Sequence, residues 1–394
     1  MKYTHQQTVD VFLEMVKVDS PSFSEKNMVN YLTNKIKTYG WTAENERVPV
    51  LVERFDEETK IRLSSDKDVC DTEQLAVIIP ATDQTKDPIY FCAHIDTVSP
   101  GKSVNPVIKG DIIYSDGTTV LGGDDKSGVA SLLVAVDEVI KKNIPHGKIV
   151  LLFTALEEKG HMGAHQIDIN KYGVKYGYVF DTSGNVGKIM RRGQHGQSIE
   201  VTITVDDIPN HTYSATVPNA LGLSCDLIAK IDKKLFSADD MTFTQVISLK
   251  TENQPGYMVP YKAVFKIITR SFIKKDQQKH TEKILKLLDE FDVKNAKLEY
   301  KITPKQTIGY DHADTVDGQM MMNKAESVIK EMGLTPEYIT MGLGGHDASS
   351  FMMRGVPSIV LSCGMQEIHT TKEYINIQDL HDCTELVIRL IEKA

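Results

Sequence analysis

Three short stretches restrict the fold of this chain more than anything else in it: 89–92 (IYFC), 149–153 (IVLLF) and 176–180 (YGYVF) are apolar almost without interruption. A strand with one wet face alternates polar and apolar residues, whereas a run without alternation suits a strand covered on both faces. Residues 358–362 (SIVLS) read the same way, and 75–79 is a further β-rich run. Between such runs, 126–142 spaces Val129, Leu132, Leu133, Val136, Val139 and Ile140 as a helix does. Helical patterns also cover 9–16, 25–39, 320–332 and 377–393. Strands alternating with helices predict an α/β fold on a mostly parallel sheet, with helices over both faces.

Residues 194–303 follow another order. Strand patterns at 199–205, 241–249, 261–269 and 296–302 are interleaved with helical patterns at 217–233 and 276–291. That β-α-β-β-α-β succession is the ferredoxin-like unit, complete as a small domain. The expected organisation is one α/β domain made of 1–193 and 304–394, interrupted by an inserted domain at 194–303. A length of 394 residues suits two or three domains at roughly 150 residues each.

Composition narrows the function. Against 45 Lys and Arg stand 54 Asp and Glu, a net charge of −9, and no basic tract interrupts the excess. Nucleic acid and anionic membrane are therefore poor partners. No apolar run approaches the length of a membrane span, and no signal-like stretch precedes the first helical pattern at Val9. The five cysteines, Cys70, Cys92, Cys225, Cys363 and Cys383, are scattered and never form CxxC. Reduced thiols and a cytoplasmic location are expected, with no zinc ribbon.

Acidic residues and histidines gather where the buried runs end. His94 and Asp96 follow 89–92; Asp124 and Asp125 precede the helix at 126–142; Glu157 and Glu158 follow 149–153; Asp181 follows 176–180; His369 comes after 358–362. Ligands of open α/β sheets bind at the carboxyl ends of strands, so these residues face one edge. Two imidazoles and several carboxylates without a thiolate suit zinc, with manganese or cobalt as chemical alternatives, in a site of catalytic type. His94, Asp124, Glu158, Asp181 and His369 suffice for two ions sharing one carboxylate. The charges of two divalent ions then balance three carboxylates and a bridging hydroxide, leaving Glu157 as a base. Singly, each residue has a plainer reading: a surface hydrogen bond for His94 and Asp96, a solvated face for Glu157 and Glu158, a helix cap for Asp124 and Asp125. Their common placement favours the metal site.

The ordered motifs HIDTV, GGDDKSG, ALEEKGHMGA, VFDTSG and EIHTTKEYI resemble those of the co-catalytic dizinc exopeptidases. That clan includes peptidase T, carboxypeptidase G and acetylornithine deacetylase, and the likeness is greatest to the peptidase T-like tripeptidases. The resemblance implies one metal on His94, Asp124 and Asp181 and a second on Asp124, Glu158 and His369. It implies Asp124 as the bridge, a water shared by the metals, Glu157 as general base, Asp96 orienting His94, and a cis Asp124–Asp125 bond. Within the inserted domain, a lid in the resembled family, it points to His211 at the scissile carbonyl oxygen, with His195 as rival, and to Arg270 at a substrate carboxylate. His346 stands where the family has Ser or Thr in a pocket-lining segment. The implied substrate is a short peptide cut by an aminopeptidase, and a homodimer is allowed. Alternatives are a deacylase or carboxypeptidase on N-acyl amino acids, or a silent metal- and peptide-binding protein.

Other patterns lead nowhere. Asp125-Lys126-Ser127 lacks the glycine of a phosphate loop, and His161 and His165 enclose no zincin glutamate. His161 is expected near the site mouth, His165 on a helix surface, and Met320 to Met322 in a helix core.

Overall fold

The computed structural model describes residues 5–42, 51–55, 72–205, 219–231, 242–253, 259–293, 296–302, 309–340 and 345–394. Two compact units form: Met1–Arg191 with Asp311–Met341 and Gly345–Ala394, and Arg192–Tyr310 with Gly342–Gly344.

The runs without alternation become the centre of the first unit. Its eight-stranded sheet runs Leu51–Phe55, Gln74–Ile79, Ile149–Thr154, Ile89–His94, Tyr176–Thr182, Ser358–Ser362, Lys188–Met190, Glu337–Ile339. The four central strands, from Ile149–Thr154 to Ser358–Ser362, are mutually parallel. Every residue in them is buried. Both faces are used: Ile89, Phe91 and Ala93 enter one apolar cluster, Tyr90 and Cys92 another. The pleat sends successive side chains to opposite sides, so each needs its own apolar layer. On the first side lie the helices Gln6–Met15, Gly123–Lys141 and Ile377–Glu392, through Phe12, Leu132, Leu133, Leu386 and Leu390. Phe351, from the short helix Asp347–Met352, covers the other side with Ile167 and Ile169. This is the expected α/β fold. Met321 and Met322 are buried in it, whereas Met320 is partly exposed because it points from the opposite face of its helix.

The second unit is an antiparallel sheet in the order Phe243–Glu252, Lys262–Ser271, His195–Thr204, Lys297–Ile302. Numbered along the chain that is 2-3-1-4, the order of a βαββαβ unit. Ile199, Val201, Ile203, Phe265 and Ile267 meet Leu227 of the helix Ala220–Lys230 and Ile284 and Leu288 of Lys274–Glu290. Asn219 sets the start of the first helix, its side chain accepting the N–H groups of Leu221 and Gly222. Among the described residues no helix is long and apolar enough to cross a membrane.

Candidate active site

The parallel strands of the first unit end at one edge, and their last residues or following loops carry the donors. His94 is the final residue of Ile89–His94, Asp181 lies near the end of Tyr176–Thr182, and Glu157 opens a short 3-10 turn just after Ile149–Thr154. Asp124 and Asp125 precede the regular turns of Gly123–Lys141, with non-helical backbone and a cis bond between them. His369, in the left-handed region at φ 62°, lies in the loop between the short strands Met365–Gln366 and Tyr374–Asn376, beyond Ser358–Ser362.

Asp124 stands at the centre. Its Oδ1 lies 2.9 Å from His94 Nε2 and its Oδ2 3.1 Å from His369 Nε2. His94 Nε2 is also 3.7 Å from Asp181 Oδ1, and His369 Nε2 is 2.7 Å from Glu158 Oε1. Two groups of donor atoms, each within 4.8 Å, therefore share Asp124: His94 with Asp181, and Glu158 with His369. Two more such groups are His94 with Glu157 and Glu158, and Glu157 with Asp181 and His346. His94, Asp124, Glu157 and Asp181 are buried, whereas the His369 side chain is 49% exposed and marks the side open to solvent.

Asp96 approaches His94 Nδ1 with its main-chain oxygen at 2.9 Å and with carboxylate Oδ1 at 3.4 Å. That carboxylate accepts from the Glu157 N–H at 3.0 Å and the Ser22 hydroxyl at 2.8 Å, tying the two loops together. Four supporting contacts, made by three residues, have no counterpart in the sequence reading. Glu373 accepts the N–H groups of Gly122 and Asp124 at 2.8 and 2.9 Å. Asp125 accepts the His94 N–H at 3.1 Å. His346 Nδ1 lies 3.1 Å from Asp181 Oδ2. Glu373 sits inside the EIHTTKEYI motif, but only the fold shows which N–H groups it meets. His165 is not on an exposed helix face: it lies in a 3-10 turn, with Nδ1 3.1 Å from the Ser350 hydroxyl.

The electrostatics are those of a crowded acid cluster. Burial pushes the Asp181 carboxyl well above the usual range, and the Glu157 charge adds to it. Burial likewise raises Glu158, against its hydrogen bond to His369. Burial would raise Asp124 too, but its hydrogen bonds with His369 and His94 outweigh that and hold it low. His369 is pushed up to about 10 by its bonds to Asp124 and Glu158. For Glu157, burial is overcome by the hydrogen bond from His161, so the group stays below its ordinary value. Carboxylates packed this closely call for positive charge, and the nitrogen and oxygen donors present fit divalent ions.

Of the residues expected in the second unit, Arg270 lies at the end of Lys262–Ser271, opposite Gly196, and burial lowers its pKa. His195 begins the strand His195–Thr204, and its Nδ1 accepts the Gly309 N–H at 3.0 Å. His211 lies outside the described residues.

Carboxylates and imidazoles gathered at the carboxyl edge of a parallel sheet, with a buried glutamate beside them, make a candidate metal centre of hydrolytic type. Likeness to known proteins makes the chain a metallopeptidase. The chain belongs to peptidase family M20/M25/M40, whose profile matches residues 90–393. It is 25% identical to a peptidase T from Shewanella pealeana, over 98% of both chains. The aminopeptidase PepT of Bacillus cereus is 29% identical, with a TM-score of 0.78 over 99% of this chain and 98% of that one. A tripeptidase from Staphylococcus aureus is 25% identical, with a TM-score of 0.79 over the same shares. The resemblance carried by the five motifs holds across the whole chain.

Proposed function

We propose that the protein is a dizinc exopeptidase of tripeptidase type that releases the N-terminal residue of short peptides. One observation carries the two-ion core of this reading: the two oxygens of Asp124 face two different imidazoles, as a carboxylate shared by two ions would. The similarity to peptidase T and a tripeptidase supports the substrate class. His94, Asp124 and Asp181 would hold one ion, and Asp124, Glu158 and His369 the other. Two such ions supply Lewis acidity, making water acidic enough to ionise near neutral pH and polarising the peptide carbonyl. The chain itself moves the proton. Glu157, its loop held by Asp96, takes it from the attacking water and returns it to the departing amine. Asp96 steadies His94 from its other ring nitrogen.

In the second unit, proposed as a lid, Arg270 is assigned to a substrate carboxylate and His211 to the developing oxyanion. A reducing, cytoplasmic setting suits the free thiols of Cys92, Cys225, Cys363 and Cys383. A homodimer would fit the same reading and is tested by sedimentation.

The decisive assay incubates a panel of di-, tri- and tetrapeptides, free or N-acylated, with the zinc-loaded protein and identifies products by mass. Free N-terminal residues from unblocked tripeptides are expected; cleavage of N-acylated substrates alone would overturn the reading. Glu157→Gln should lower kcat by about 10²- to 10⁴-fold while elemental analysis still finds both ions. Loss of an ion in that variant would make Glu157 a ligand instead.

A further inference from the structure

The loop that carries Glu157 also brings a second titratable side chain to it. His161 Nε2 lies 3.2 Å from Glu157 Oε1, and the two side chains are only 13% and 10% exposed. Their main chains are joined as well, the His161 N–H donating to the Glu157 carbonyl at 2.8 Å. Tight anchors hold the loop: Gly163 N–H donates to the Ala155 carbonyl at 3.1 Å, and the Gln74 amide donates to the Gly163 carbonyl at 3.2 Å. His161 itself has a left-handed backbone, φ 57°.

A glycine elsewhere in the chain makes room for that ring. At Gly345 a Cβ would sit 2.2 Å from His161 Cε1 and 2.6 Å from Nε2. Any other residue there would bring its Cβ against the imidazole, so the ring or the backbone beside it would have to shift. His161 thus has a fixed place between the Gly345 backbone and Glu157. In such a dry setting an N–H donated to a carboxylate is short-range, directional and strong. It limits the rotamers open to a side chain whose work, taking and returning a proton, depends on orientation.

We propose that His161 is a positioning residue for Glu157, its Nε2–H holding the carboxylate where it exchanges the proton, and that residue 345 is glycine to admit the ring. The inference rests on the reading of Glu157 as the base.

The test compares His161→Leu, His161→Gln and Gly345→Ala in the zinc-loaded protein, with Glu157→Gln as control. His161→Leu should lower kcat about 10- to 100-fold and leave KM within about twofold. Metal content should stay at that of the unaltered protein. His161→Gln, whose amide reaches the same carboxylate, should recover most of the loss, and Gly345→Ala should behave like His161→Leu. Unchanged kcat in His161→Leu or Gly345→Ala overturns the inference. So does a loss that glutamine does not recover, because it would report loop packing alone. Should His161→Leu melt below the assay temperature, His161→Gln and Gly345→Ala decide by the same criteria. If Glu157→Gln is itself fully active, the reading of the base fails, an outcome distinct from failure of His161.

Discussion

Asp124 meets His94 with one oxygen and His369 with the other, and a carboxylate does so only if its main chain is held still. Glu373 does the holding: one of its oxygens takes the Gly122 N–H and the other the Asp124 N–H. Burial raises Glu373 to about 7, with the Asp124 charge adding to the rise against the hydrogen bonds it accepts. Glu373→Ala leaves two buried donors without acceptors, at a cost of about 1–3 kcal/mol each. A lower melting temperature is expected, and a chelator titration should strip metal at a lower chelator concentration than in the unaltered protein. An unchanged chelator midpoint would show that Asp124 needs no such support. In the sequence Asp124 announces itself, because an acidic residue between glycines and a helix is easy to find. Glu373 does not, because its contacts are to main-chain groups, which leave no mark on residue identity.

Helix starts show the same limit at the next scale. The spacing of apolar residues led to 25–39 and 377–393, and the structure has Lys26–Thr38 and Ile377–Glu392. Period is a property of ten or more residues, so it survives; the short strands Val107–Lys109 and Ile112–Tyr114 are too brief to show one. The helix Gln6–Met15 has no side-chain cap. Instead the His5 N–H donates to His381 Nδ1 at 2.7 Å, and the ring lies between Glu138, at 2.6 Å, and Glu385, at 3.2 Å. Burial works against the charged form of His5, but the bonds to Glu385 and Glu138 prevail and raise it above 6.5. The His5 bond, against burial, lowers Glu385 to about 2. A raised histidine stabilises the fold fully below its unfolded value and loses that effect as pH climbs through the folded one. A lowered carboxylate contributes above its unfolded value and loses its part as pH falls toward the folded one. The cluster should therefore help most between about 4.5 and 6.5. In thermal melts His5→Gln should flatten the decline in melting temperature from pH 6 to 9; parallel curves for the two proteins would refute it.

At the scale of the molecule, chemistry and substrate grip are assigned to different folding units. All five proposed metal donors and Glu157 fall within the first, and the positions proposed for substrate contact, Arg270 and His211, within the residue range of the second. Separate assignments predict separate kinetic effects. Arg270→Ala should mainly raise KM for peptides with a free carboxylate, since that contact serves ground and transition state alike. His211→Ala should mainly lower kcat, by about 10²- to 10³-fold, since an oxyanion exists only near the transition state. Steady-state kinetics on one tripeptide read both, and exchanged phenotypes would reverse the two roles.

The sequence by itself determined the layers and the edge at which the acidic and imidazole side chains gather. Uninterrupted apolar runs must be covered on both faces, and chemistry-bearing residues after parallel strands must meet at one edge. The order β-α-β-β-α-β likewise implies a four-stranded sheet of the kind the second unit has. What only the tertiary structure decided is which atom faces which. Glu373 reaches Asp124 across 249 positions of chain, and the His161 ring fills the place of a side chain that Gly345 lacks. Such contacts join residues with no local pattern in common. They are set by close packing and by the need of every buried polar group for a partner, and neither condition exists until the chain has folded.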